Sequence, residues 1–150
     1  MNAFYWVTEE IRNEIAAYPL VNTTSYGDIA AIDIAKQTIF PLVHMTVLNA
    51  NPNTNTVTFD FLIFVMDIVD YSKEPTTDIF FGNDNEHDVL NNTYQTCLRL
   101  HASLLHGNLY DKMIQLNSFS MESFSERFEN YLAGWTINMS VTIPNDMSIC

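Results

Sequence analysis

Positive charge is scarce in this chain. Of 150 residues only six are Lys or Arg, against 18 Asp and Glu, for a formal net charge of −12. The six cations, Arg12, Lys36, Lys73, Arg99, Lys112 and Arg127, are scattered, so the sequence offers no cationic footprint of the kind that grips phosphates. Direct hold on DNA or RNA is disfavoured. An acidic wall beside DNA is a different matter, because a channel through which a duplex must slide is better lined with like charge. Glycine is also scarce, at four residues, and all four (27, 82, 107 and 134) are expected at turns or element ends. They form neither a phosphate loop nor a dinucleotide fingerprint, and no serine sits in a glycine elbow. Cysteine is limited to Cys97, inside a predicted helix, and Cys150, which share no framework spacing and suggest a reducing compartment. Cys97 reads as a small buried apolar residue. Long apolar runs are missing too. The longest, Phe61 to Met66, lies between Asp60 and Asp67 and is far too short to cross a bilayer. The N-terminus has no basic and apolar leader pattern, and Glu9 and Glu10 come too early for one, so the sequons at Asn22, Asn91 and Asn138 carry no weight.

The chain is rich in apolar and aromatic residues, which make up 47% and 13% respectively, and this places it among globular proteins that fold by burial. Its length suits one structural domain spanning residues 1–150. Phe4, Val7, Ile11, Ile15 and Tyr18 recur at helical spacing until Pro19. A polar turn is expected over Asn22 to Gly27, and a loop over Asp28 to Gln37. Leu42 to Leu48 and Val57 to Val69 predict a β-hairpin whose long loop is Asn49 to Asn55, a segment packed with turn formers. Residues 61 to 66 are apolar at every position, so the second strand is expected in mid-sheet with both faces covered.

Tyr71 to Gly82 loses all periodicity and reads as an excursion. Asn83 followed by Glu86 resembles a capping box, with Asp84, Glu86 and Asp88 at the positive end of a helix dipole. The stripe expected on that helix is Val89, Leu90, Tyr94, Cys97, Leu98, His101, Leu104 and Leu105, with Gly107 ending it. A short strand follows near Met113 to Ser118 and another through Met121 to Glu129. The last strand is the clearest: Trp135, Ile137, Met139, Val141 and Ile143 fall on one face, and Thr136, Asn138, Ser140 and Thr142 on the other. The order predicts an α+β domain with an antiparallel sheet of about four strands, two main helices packed on it and one face left for a partner.

No catalytic, cofactor or metal constellation emerges. His87 with its acidic neighbours fits neither a calcium loop nor a helical zinc pair, and His101 and His106 point to different sides of a helix. Asp60, Asp67 and Asp70 lie on or beside the long strand, but Asp60 and Asp67 face opposite ways. The expected interface residues are Asn51, Asn53 and Asn55 at one loop, Lys73, Asp78, Phe80 and Phe81 in the excursion, and Thr136, Asn138, Ser140 and Thr142 on the uncharged strand face.

Three stretches carry a family resemblance: Lys36-Gln-Thr-Ile-Phe-Pro-Leu-Val-His44, the hairpin end Val65-Met-Asp-Ile-Val-Asp70, and Gly82-Asn-Asp-Asn-Glu-His-Asp-Val-Leu90 leading a helix. Together they resemble the tail-terminator or tail-completion proteins of tailed bacteriophages. The phrase Phe128-Glu-Asn-Tyr-Leu-Ala-Gly-Trp135 and the ending Ile143-Pro-Asn-Asp-Met-Ser-Ile-Cys150 look closest to the neck or tail ring proteins of crAss-like phages. The resemblance implies a non-catalytic virion subunit, without cofactor, assembled in the cytoplasm of the infected bacterium. Identical copies would form a ring between portal and tail, contacting the portal and neighbouring neck or tail proteins. DNA would pass the lumen without specific binding, and no membrane would be involved. Two other readings stand beside it: a small hydrolase or metal-binding enzyme using Asp67, Asp70 and His87, and a non-enzymatic regulatory binding module.

Overall fold

A computed structural model describes residues 3–27, 40–69, 79–80, 85–127 and 131–144. Helix α1 (Ala3–Ala16) buries Val7, Ile11 and Ile15, the stripe that its spacing predicts, and Tyr18 follows them into the core just beyond the helix. Five strands form one mixed sheet in the order β1-β2-β3-β5-β4. They are β1 (Thr23–Tyr26), β2 (Leu42–Pro52), β3 (Thr56–Ile68), β4 (Gln115–Arg127) and β5 (Tyr131–Pro144). Helix α2 (Glu86–His106) and the single turn α3 (Asn108–Asp111) lie between β3 and β4 in the chain. The architecture is α+β as expected, but the sheet has five strands and is not purely antiparallel.

The extra strand is β1, which pairs parallel with β2 where a polar turn was expected. Thr-Thr-Ser-Tyr has no apolar alternation, so its sequence gives no strand signal. Its conformation comes from a partner: the Asn22 and Thr23 amides donate to the Pro41 carbonyl, and Gly27 N–H donates to the Met45 carbonyl. Gly27 ends the strand at a φ of 116°, in the left-handed region that a side chain disfavours.

The hairpin is present, but its loop is shorter than the turn-former content implies. Asn49, Ala50, Asn51 and Pro52 continue β2 and pair with Asp60, Phe59, Thr58 and Val57, so the turn is confined to residues 53–55. Pairing with a long partner overrides weak strand propensity, and the ladder skips a residue at Leu48 to do so. In the same way the two separate strands expected over Met113 to Glu129 are one strand, interrupted only by a register shift between Leu116 and Ser118.

Strand β3 is central, as its apolar run predicts, but its burial alternates. Val57, Phe59, Phe61, Ile63 and Val65 are buried, while Thr58, Asp60, Leu62 and Phe64 are half-buried. On the first face α1 and α2 seal a core that also takes in Ile137, Met139, Val141 and Ile143 of β5. The second face is sealed only at one end, where Phe40, Leu42, Met66 and Leu132 cluster. The expectation that both faces are covered therefore fails along most of the strand.

Helix α2 is rotated from its expected stripe. Thr93, Thr96, Leu100 and Ser103 are buried with Val89, Cys97 and Leu104, whereas Tyr94, Leu98 and Leu105 are exposed. Threonine and serine are tolerated inside because each hydroxyl finds a partner on or beside the helix. Thr93 Oγ1 donates to the Val89 carbonyl at 2.8 Å, and Ser103 Oγ accepts from the Leu109 amide at 3.2 Å. The N-cap residue is Asn85, without a side-chain capping bond; Asn83 of the expected capping box lies outside the described residues.

Gly134 is an expectation the structure corrects outright. It lies inside β5, opposite Met66, not at an element end. A Cβ there would sit 1.9 Å from the Val65 carbonyl oxygen and 2.8 Å from Met66 Cα, so only glycine allows β3 and β5 to approach this closely. On the open face the rings of Phe64 and Phe124, from the strands on either side of β5, meet edge to face at 6.4 Å.

Candidate interaction surface

The open half of the sheet is the best-formed polar surface among the described residues. Period-two alternation turns Thr136, Asn138, Ser140 and Thr142 of β5 away from the core, and pairing sets them beside Thr58, Asp60 and Leu62 of β3 and Ser118, Ser120 and Glu122 of β4. Hydroxyls bond to each other across strands: Thr58 and Thr142 are 2.8 Å apart, and Asn117 Nδ2 donates to Thr142 Oγ1 at 2.6 Å. The surface is thus bonded across strands at Thr142, with Asn138 exposed in the middle and carboxylates at Asp60 and Glu122. Such a face presents small dipoles and mild negative charge.

The other expected interface residues are distributed differently. Asn51, Asn53 and Asn55 are all exposed, Asn51 within β2 and the other two in the hairpin turn. Phe80 is 83% exposed and its ring lies 6.4 Å from that of His87. Lys73, Asp78 and Phe81 lie outside the described residues, as does Asp70. Asn51 pairs with Thr58, which pairs with Thr142, so Asn51 shares a row of the open face with β5, while Asn53 and Asn55 lie beyond the end of the sheet where Thr56 pairs with Pro144.

Two features were not signalled by any motif. The first is a groove of about 610 Å³ between α1 and the β1–β2 edge, lined by Phe4, Tyr5, Arg12, Tyr26, Val43 and Met45 among others. Phe4 breaks the pattern of its own stripe here. It stays 36% exposed and its ring contacts Tyr26 at 6.1 Å and Phe59 at 5.7 Å. Arg12 and Glu9 pair on the rim at 3.3 Å. The parallel pairing of β1 creates the groove, which is why the sequence gives no sign of it.

The second is His44, fully buried on β2. Its Nε2 is 2.7 Å from the Gly27 carbonyl, which can only accept, so Nε2 carries a proton; its Nδ1 is 2.7 Å from Ser25 Oγ. A serine bonded to a histidine that a third group orients is the outline of a nucleophilic site. Here the imidazole is enclosed and its oriented end is spent on a backbone carbonyl, so the pair ties β1 to β2.

For the metal or hydrolase reading, Asp67 Oδ1 accepts the Ile68 amide at 2.8 Å, and Asp67 lines a cavity of only about 80 Å³ with Asn92, Thr93 and Thr96. His87 is exposed in the first turn of α2. Among the described residues no group of three or more His, Cys, Asp or Glu side chains is placed to hold a metal ion. His101 is half-buried with its ring 4.7 Å from Phe119, bordering the core as expected. Cys97 is buried, and burial pushes its thiol from 9.0 up to about 12, which keeps it from forming the reactive thiolate at neutral pH. Tyr18 is raised well above the ordinary phenol range, first by burial and then by Glu14, whose carboxylate accepts its hydroxyl at 3.0 Å. No helix among the described residues is long and apolar enough to cross a membrane.

No family model matches the chain, and no curated protein is significantly similar to it.

Proposed function

We propose that the chain is a structural subunit of a ring in the head-tail neck or tail of a tailed bacteriophage, related to the tail-terminator and tail-completion proteins it resembles. Identical copies join around the channel between portal and tail, and the genome passes through without specific binding. The observation that supports this most is the contrast across the sheet. One face is sealed by two helices, and the other presents Thr58, Thr136, Asn138, Ser140 and Thr142 as an open, internally bonded surface that carries mild negative charge. In a chain of net charge −12, that surface suits the lining of a passage for a polyanion: it repels phosphate weakly and holds it nowhere. On this reading the subunit is not an enzyme and needs no cofactor, and it belongs to the virion after assembly in the bacterial cytoplasm.

Native mass spectrometry of the purified chain, alone and with the portal and neighbouring tail proteins of its phage, tests the proposal. A closed oligomer of fixed stoichiometry, or a ring formed on the neighbour, is the expected result. A chain that stays monomeric at every concentration and with every neighbour would sink the proposal and leave the regulatory-module and enzyme readings. The lumen assignment has its own check. Replacing Asn138 and Ser140 with Lys should turn an assembly that ignores duplex DNA into one that retains it in a salt-dependent way.

A further inference from the structure

We infer that β4 of one copy docks antiparallel beside β1 of a second copy, with its Phe119 and Met121 completing the groove under α1 of that copy. This rests on the ring reading and adds to it the contact that joins neighbouring subunits.

Strands β1 and β4 are the two outer members of the sheet, and among the described residues each leaves a row of backbone donors and acceptors without a ladder partner in it. Strand β4 is the more exposed liability. It runs 13 residues, QLNSFSMESFSER, with neither proline nor lysine, and its edge protection is limited to the charges of Glu122, Glu126 and Arg127 and the register shift between Leu116 and Ser118. Its helix-side residues Leu116, Phe119 and Met121 pack on the core yet remain half-buried, so the apolar interior continues to the rim and stops uncovered.

Among the described residues the opposite edge has the matching vacancy. Beyond β1 the groove exposes the rings of Phe4, Tyr5 and Tyr26, with Tyr5 at 69% and Tyr26 at 49% exposure. It lies on the helix side of the sheet, because Thr24 and Tyr26 share a face with Val43 and Met45 of the core. A strand added outside β1 would send its helix-side residues toward the groove.

Strand direction makes the join consistent. Since β1 is parallel to β2, β2 antiparallel to β3, β3 to β5 and β5 to β4, the strands β1 and β4 run in opposite senses. A second copy related by rotation about a ring axis therefore brings β4 against β1 as an antiparallel pair, with the helix sides in register. The four residues of β1 keep the shared ladder short, so apolar contact in the groove has to supply much of the hold.

Charge favours a second copy as the occupant. Two chains of net charge −12 can meet closely only where the facing surfaces add no like charges. Along the helix side of β4, Leu116, Phe119, Met121 and Ser123 are uncharged, the Glu86 carboxylate lies beyond them bonded to Ser125, and on the groove rim Glu9 is paired with Arg12. A two-fold pairing of β4 with β4 is the competing arrangement. It would satisfy the same edge but leave the groove empty.

The test uses the full chain in a Cys150→Ser background, Cys97 being buried. Thr23→Cys on β1 and Ser120→Cys on β4 are purified separately, mixed and treated with a short bismaleimide. Cross-linked dimers that need both variants are the expected result. Dimers formed by Ser120→Cys alone would overturn the inference in favour of the two-fold pair. In parallel, Tyr26→Lys and Met121→Lys should each raise the concentration needed for assembly at least tenfold, with Asn138→Lys as the control and circular dichroism confirming folding. Tyr26 is already exposed, so its replacement keeps the test valid even where Met121→Lys lowers stability. Assembly unchanged in both variants would overturn the docking mode and leave the ring reading standing. A wild-type chain that never assembles, even with its neighbours, would overturn both.

Discussion

The two faces of the β3–β5 pair are built from alternate residues of the same strands, yet they obey different rules. Toward the helices, Phe61, Ile63, Ile137 and Met139 are completely buried, and each position is fixed by volume. On the other side, Thr58 and Thr142 bond across the strands through their hydroxyls, and Thr58, Asn138, Ser140 and Thr142 remain reachable from solvent. The difference shows how a chain with few charges can stay folded with one side of its sheet open: hydrophobic burial on one face carries the stability, and the other face stays in contact with solvent.

The sharpest way to break this comparison is to place a side chain where the two faces cannot separate. Gly134→Ala should cost about 3 kcal/mol or more, because the new methyl group meets the Val65 backbone and not a yielding side chain. Urea denaturation would read it as a lowered midpoint, and a cost below about 1 kcal/mol would contradict the close approach of β3 and β5. Ile137→Ala, on the covered face, should cost about 2–5 kcal/mol from lost burial and the cavity left behind.

A smaller effect tests the dryness of the covered side. Cys97 gains a proton preference on folding, since its thiol is pushed from 9.0 up to about 12. Its contribution is fully present below pH 9 and declines as the pH rises toward 12, because the unfolded chain ionises first. Stability should therefore fall across that window, and Cys97→Ala should remove part of the slope. At pH 8 the thiol should resist maleimide in the native state and react on unfolding; rapid native labelling would show that α2 does not seal the core.

The smallest effect is expected one position from Ile137. Asn138→Ala should change stability by no more than about 0.5 kcal/mol, since the side chain is exposed and its loss leaves no cavity. A cost comparable with that of Ile137→Ala would mean that the second face is packed as tightly as the first, and the distinction between them would fall.

Much of the covered face was legible beforehand. The stripe of α1, the alternation of β5 and the central place of β3 follow from the pattern of apolar residues, which reports which side of an element meets the core, and the start of α2 near Glu86 follows from its polar and acidic first turn. Strand β1 and the paired Asn49 to Pro52 segment are backbone pairings with few apolar side chains, so no hydrophobic pattern marks them, and β4 reads as two strands because its apolar alternation changes phase at the register shift between Leu116 and Ser118. The rotation of α2 toward Thr93, Thr96 and Ser103 was hidden for a related reason, as those hydroxyls are buried only because neighbouring backbone satisfies them.

The candidate surface divides in the same way. Thr136, Asn138, Ser140 and Thr142 could be grouped from their alternation alone, since alternate residues of a strand must share a face. The groove under α1 and the buried His44 link to Ser25 and Gly27 required knowledge of which strand lies beside β2. By itself the sequence determined the acidic balance, the two amphipathic faces and the residues able to fill a core, because these depend on composition and local period. Tertiary structure alone decided the parallel edge, the close passage at Gly134, the half-open sheet and the groove, because each depends on which distant segment supplies the missing hydrogen bonds and contacts.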